Sequence, residues 1–318
     1  MSKVVSLRRW NAVFRSMVEQ SVDSNILENQ ITLQFNLSVV DIPYCLLTIP
    51  EVRKQHPNIS NVVGVVDMCK PPTLTIKQEI WDKQVNILQE QCEHLVNKNI
   101  LSRVYYVFPN DPLLSKVYKE YLQYLITQTH DSQKSAITAY LVPFEIIKTK
   151  YLLHYDADML LYQKPGYDWA FDSISWFAQD DMLLSVSPKL SPSIPAQKPL
   201  HPIKPVDWFS TRCFMINTER FKNILPLTGG KYMLEVIARK VLNRTFPPTP
   251  ERMIYERMKN KGFKRFDLTS QYAWITHPVL KNSVFINSLP NIFNRIKNLD
   301  IPPEQINHEN MILNAWIK

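Results

Sequence analysis

The chain has 318 residues, 45% apolar and 21% charged, a composition that fits a globular protein with a sizeable core and excludes a disordered or fibrous one. Lysine and arginine outnumber the acids 37 to 29, a formal +8 that suits nucleic acid, an anionic membrane surface or a phosphorylated substrate. No helix-turn-helix, zinc-finger or RNA-recognition signature accompanies that charge, so no nucleic-acid partner is expected, whereas peripheral membrane contact stays open.

Val4, Val5, Leu7, Trp10, Val13, Phe14 and Met17, interleaved with Arg8, Arg9 and Arg15, predict a basic amphipathic helix within an N-terminal segment, 1–30. The apolar run is too short for a signal peptide, and no stretch of the ~20 apolar residues a membrane span needs follows it. Residues 31–37 read as a strand, and Asp41 as the N-cap of a helix over 42–54 that takes Pro43 in its first turn. The apolar run 61–66 reads as a strand buried on both faces, closed by Asp67. A long helix over 76–97, a strand over 103–108, helices over 113–129 and 136–148, and a strand over 151–155 follow. This alternation predicts an α/β fold, a single Rossmann-like, mostly parallel sheet flanked by helices.

Past residue 161 the pattern loosens. A helix over 168–178 and a strand over 182–186 lead to six prolines between Ser187 and Val206, which read as an irregular stretch, either a linker between elements or a loop over the ligand site. A strand over 208–216 and helices over 219–224, 232–241 and 250–261 come next. The cysteines Cys45, Cys69, Cys92 and Cys213 show no CxxC spacing and read as reduced, mostly buried thiols of a cytoplasmic protein.

Only five glycines stand against 23 prolines, and neither GxGxxG nor GxxxxGK[ST] occurs. A nucleotide site here is therefore not built on a glycine-rich loop. The segment that carries chemistry is Tyr151-Leu-Leu-His-Tyr-Asp156-Ala-Asp158-Met-Leu-Leu-Tyr162, an apolar strand that ends in two carboxylates one residue apart. Acids at the carboxyl end of a parallel strand lie where open α/β sheets bind ligands. A hard cation, Mn²⁺ or Mg²⁺, suits such a pair, bridging carboxylate and phosphate oxygens. His154 alternates inward and reads as core.

From Ser135-Ala136 through Leu141-Val-Pro-Phe144 to this DxD segment, the sequence resembles the first half of the GT-A-type glycosyltransferases. The resemblance implies a donor-binding half over 31–162 and an acceptor-binding half over 163–318 of one domain. It implies a nucleotide-diphosphate sugar donor, UDP- or GDP-linked, an unidentified acceptor, and Asp41 and Asp67 at the base and ribose. His277, in Trp274-Ile-Thr-His277-Pro278, is similar to the histidine that completes the metal site of Asp156 and Asp158 in some members. Pro250-Glu251-Arg252, opening the helix that runs on to Arg257 and Gly262, is similar to the family's acidic pair, one acid of which is the general base in inverting members. Here Arg252 replaces the second acid, which leaves Glu251 as base with Asp207 as the substitute. Trp208 is placed to stack on a sugar, and Lys204, Arg212 and Arg265 read as surface charges within reach of a diphosphate.

Two rival readings share the motif. A haloacid-dehalogenase-like phosphatase also uses DxD after a strand, with Asp180-Asp181 imitating its later acidic pair, but Met159-Leu160 lacks the threonine that follows there. A transferase fold that binds nucleotide without turnover is the other.

Overall fold

Strand and helix alternate through the first half of the chain, and the sheet is assembled accordingly. The computed structural model describes residues 29–72, 74–131, 134–193, 202–242 and 248–318. Its strands are β1 (Ile31–Leu37), β2 (Asn61–Asp67), β3 (Arg103–Val107), β4 (Tyr151–Asp156), β5 (Leu160–Gln163), β6 (Leu183–Ser187), β7 (Ile203–Pro205), β8 (Cys213–Asn217), β9 (Lys264–Leu268) and β10 (Ala273–Thr276). Eight of them form one sheet in the order β3-β2-β1-β4-β8-β6-β9-β7, and β5 and β10 pair as a separate antiparallel ribbon. Only β8 and β7 run against the other six, so the sheet is mixed and mostly parallel.

The continuous apolar runs are explained by cover on both faces. Along β2, Val62 and Val66 enter one core with Trp81, Leu88 and Phe177. Val63 and Val65 enter the opposite core with Tyr121, Phe144 and Met253. β8 divides the same way, Cys213 and Met215 to one side and Phe214 and Ile216 to the other. A third cluster, with Trp274, Phe285, Leu289 and Trp316, packs the C-terminal helix Ser283–Lys297 on the ribbon.

Strands 31–37, 61–66, 103–108 and 151–155 appear within one residue of expectation. The helices of the middle region do not. The helix read over 113–129 is Pro112–Lys116, continued by a wide π turn, Val117–Tyr121. Gln123 and Tyr124 then adopt positive φ, which ends the helix. The helix read over 136–148 is two short pieces, Thr138–Leu141 and Pro143–Ile146, parted where Pro143 brings no N–H to the ladder. Asp41 is not the N-cap of the following helix, which spans Cys45–Gln55. It closes a 3₁₀ turn, Val39–Asp41, and bonds back to Ser38 in a capping box. The strand read over 208–216 begins only at Cys213.

The proline-rich stretch is not wholly irregular. Ile203–Pro205 pairs antiparallel with β9 as the edge strand, a position that tolerates a residue without an N–H. Residues 194–201 of that stretch, and the amphipathic helix read at the N-terminus, lie outside the described residues. All four cysteines are free and buried. Among the described residues no helix is long and apolar enough to cross a membrane.

Candidate functional site

β1, β2 and β4 end side by side, Leu37 opposite Val66 and Asn36 opposite Asp156. At those carboxyl ends lies a cavity of about 290 Å³, whose lining includes Asp41, Asp67, Asp156 and Asp158. The four acids read from sequence as the donor site thus converge on one cavity. Each is held by its own local structure. Asp41 Oδ2 accepts from Ser38 N at 2.7 Å and Ser38 Oγ at 3.0 Å, and Oδ1 accepts from the Tyr44 hydroxyl. Asp67 Oδ1 accepts from Cys69 N at 2.9 Å, and His130 Nε2 lies 3.0 Å from Oδ2. Asp156 Oδ1 accepts from the Tyr140 hydroxyl at 2.6 Å and lies 3.2 Å from His154 Nε2. The backbone between the two motif acids is pinned by Ala157 N to Asn36 O at 3.2 Å and by the Thr48 hydroxyl to Ala157 O. His154 is buried as expected, stacked on Phe214, and its ring also orients Asp156.

Burial pushes the Asp41 carboxyl up from 3.8 to about 6, with the charge of Asp158 adding to the rise and the Tyr44 and Ser38 hydrogen bonds opposing it. Between about pH 4 and pH 6 the folded chain keeps this proton while the unfolded chain has lost it. The stabilisation is complete below pH 4 and is lost as pH rises through 6, about 3 kcal/mol for a shift of about two units. Asp41→Asn is therefore expected to gain stability relative to the parent between pH 4 and pH 7 in urea unfolding. A difference that does not change with pH contradicts this environment for Asp41.

Asp158 is 6% exposed at its side chain, and Lys281 Nζ pairs directly with its Oδ2. His277 Nε2 approaches the same oxygen at 3.5 Å. Burial alone would raise this carboxyl, but His277 and Lys281 outweigh it and hold Asp158 below the usual range. The lysine is raised in turn because Asp158 more than offsets its own burial. Asp156, Asp158 and His277 fit a divalent ion poorly in this arrangement. Asp158 Oδ2 is engaged by Lys281, and Asp156 Oδ1 by Tyr140 and His154. Asp158 Oδ1 and His277 Nδ1 have no hydrogen-bond partner, yet both are closed off from solvent. Among the described residues no three histidine, cysteine or acidic side chains converge as a metal cage.

A second cavity, about 600 Å³, is lined by residues that include Asp207, Trp208, Arg212, Glu251 and Asp267. It opens at the same sheet edge, where β8 starts and β9 ends. Glu251 sits in the first turn of the helix Pro250–Asn260, and its Oε1 accepts from Thr211 Oγ1 at 2.5 Å. Arg252, the departure from the family's acidic pair, bonds Glu235 at 2.7 Å. Trp208 is 46% exposed, with its ring tilted over Tyr255. Arg265 is not a surface charge. It is buried, donating to Trp208 O at 3.1 Å and to Asp267 at 2.7 Å. Lys204 is exposed on β7, and Arg212 donates to Asn310 at 3.2 Å.

Two contacts tie the cavities together. Thr211, which holds Glu251, also neighbours the Tyr140 hydroxyl that holds Asp156. His277 touches Asp158 and also lines a small void with Ser210, Arg212 and Glu309, residues of the second cavity. No role was read from sequence for Tyr140 or Lys281, because a tyrosine or lysine alone has no chemical signature, and Thr211 was read only as part of the segment 207–211 that the resemblance puts at the acceptor.

The phosphatase reading fails on topology. β6 runs in the same direction as β4, so Asp180-Asp181, which precede β6, lie at the edge of the sheet opposite Asp156. They pair there with Lys264 and Arg220, each at 3.0 Å.

No family model matches the sequence, and no curated protein matches it. Solved structures do resemble the chain. Residues 1–349 of TarS from S. aureus, in complex with UDP-GlcNAc, align at 11% identity and a TM-score of 0.39, over 84% of this chain and 64% of that one. The galactosyltransferase LgtC, with donor and acceptor sugar analogs, aligns at 11% and 0.35, over 73% of this chain and 70% of that one. The glycosyltransferase GlyE of Streptococcus pneumoniae TIGR4 aligns at 11% and 0.35, over 90% and 59%. The chain thus spans less than two thirds of the TarS fragment and of GlyE. At these scores the likeness assigns no chemistry to the chain, and that assignment rests on the site itself.

Proposed function

We propose that the chain is a glycosyltransferase that moves a sugar from a UDP- or GDP-linked donor to a hydroxyl of an acceptor. The observation that carries this is the convergence of Asp41, Asp67, Asp156 and Asp158 on one cavity at the carboxyl ends of β1, β2 and β4. The donor occupies that cavity, where Asp41 and Asp67 accept hydrogen bonds from the base and ribose. Asp156, oriented by Tyr140 and His154, and Asp158 face the diphosphate side.

The acceptor enters the second cavity, where Trp208 offers an exposed aromatic face to a sugar ring. Its hydroxyl oxygen bonds to the anomeric carbon as the bond from that carbon to the diphosphate oxygen breaks. The nucleoside diphosphate leaves with the electron pair. In an inverting transfer Glu251 takes the hydroxyl proton, with Thr211 holding the carboxylate in place, and Asp207 is the substitute among the other carboxylates that line the cavity. A divalent ion, Mn²⁺ or Mg²⁺, is given no step, because the residues around Asp158 do not fit one as folded.

The test is a panel of nucleotide sugars, with release of nucleoside diphosphate as the readout. One UDP- or GDP-sugar is expected to turn over slowly even without acceptor. Binding without release supports the inactive nucleotide-binding reading. Hydrolysis of an aryl phosphate, with every nucleotide sugar left intact, contradicts the proposal.

A further inference from the structure

Lys281 reaches the donor cavity from the segment between β10 and the helix Ser283–Lys297. Its ammonium pairs with Asp158 Oδ2 and stands 5.6 Å from the centre of the Tyr44 ring. Asp41 and Asp156 are near enough to act on the same charge. One lysine is therefore set among three carboxylates, at the place where two of them were read as holding a metal. We propose that Lys281 is the cation that meets the donor diphosphate, standing where a divalent ion would sit between Asp156 and Asp158. This rests on the donor-binding reading above.

The electrostatics require some such group. A diphosphate entering a cavity lined by four carboxylates meets repulsion that a low-dielectric wall strengthens. A lysine answers this as a compact point charge on a flexible stem, with three N–H donors. One N–H can remain on Asp158 while the others turn to phosphate oxygens, so the lysine need not abandon its carboxylate to bind. Asp158 then acts as a positioning residue for the ammonium. Lys134 also borders the cavity, but it is solvent-exposed, where its charge is screened.

The experiment is calorimetric titration of the full chain with UDP and with GDP, in EDTA and again with Mn²⁺. Lys281→Gln is compared with the parent, and Lys281→Arg, which keeps the charge, controls for damage to the fold along with melting temperature. Parent affinity for whichever diphosphate binds is expected to change less than about threefold on adding EDTA. Lys281→Gln is expected to lose about thirtyfold or more, in line with removal of a charge-assisted contact, and Lys281→Arg to retain most of the affinity. Parent binding that requires Mn²⁺, or a Lys281→Gln affinity equal to the parent's, overturns the lysine assignment and leaves the donor reading standing. Failure of both diphosphates to bind in either condition overturns the donor reading as well.

Discussion

Glu251→Gln is expected to lower the rate constant for sugar transfer by about 100- to 10,000-fold while leaving donor affinity unchanged. The carboxylate lies in the second cavity, apart from the four acids that line the first. An amide oxygen at the same place can still accept from Thr211, so the local geometry survives and only the basicity is removed. Loss of a negative charge near the start of the helix Pro250–Asn260 costs roughly 0.3–1 kcal/mol of stability, too little to unfold the chain. Steady-state kinetics with the donor found in the panel would measure the effect. A change under about fivefold would remove Glu251 from the chemistry and turn attention to Asp207.

A larger structural effect belongs to Trp169→Ala, expected to cost about 3–5 kcal/mol. The indole is fully buried, and its Nε1 donates to the Tyr155 hydroxyl at 2.7 Å. That hydroxyl lies 2.9 Å from His56 Nε2, while His56 Nδ1 lies 3.0 Å from Asp168 Oδ2. Truncation leaves a cavity beneath the sheet and takes one partner from a buried polar chain, and both costs fall on the folded state. Denaturant unfolding reads the loss directly; less than about 1 kcal/mol would mean that the surrounding core closes over the gap. Trp208 has the same side chain at a half-exposed position beside a cavity, and no comparable loss is expected there.

The elements that were legible in the sequence are those whose burial is simple. β2 and β4 are covered on both faces, so their apolar runs announce them, while β1 shows the strict alternation Ile31, Leu33, Phe35, Leu37, and the abrupt change to Asp67 or Asp156 marks the sheet edge. β9 went unread because it carries Lys264, Arg265 and Asp267. The latter two form an ion pair against the core, so the apolar alternation a strand shows is erased. The antiparallel insertion of β8 between β4 and β6 was equally hidden, since pairing order depends on long connections.

The site divides in the same way. Of the acids of the first cavity, Asp156 and Asp158 stood out because an apolar strand ends in them, whereas Asp41 and Asp67 came from the family resemblance. His277 came from a family resemblance, and it does approach Asp158. Lys281 and Tyr140 act through contacts made only when distant segments meet, and nothing in their local sequence reports those contacts.

The measurement that bears most directly on the donor site is titration of nucleoside diphosphates into the parent and Ala136→Trp. Ala136 is half-buried and lines the cavity proposed for the donor, so an indole there fills space without removing any acid. One-site binding of UDP or GDP by the parent, lost in Ala136→Trp at an unchanged melting temperature, is the predicted result. Undiminished binding in the variant, or no binding of either diphosphate by the parent, would contradict the assignment of this cavity to the donor.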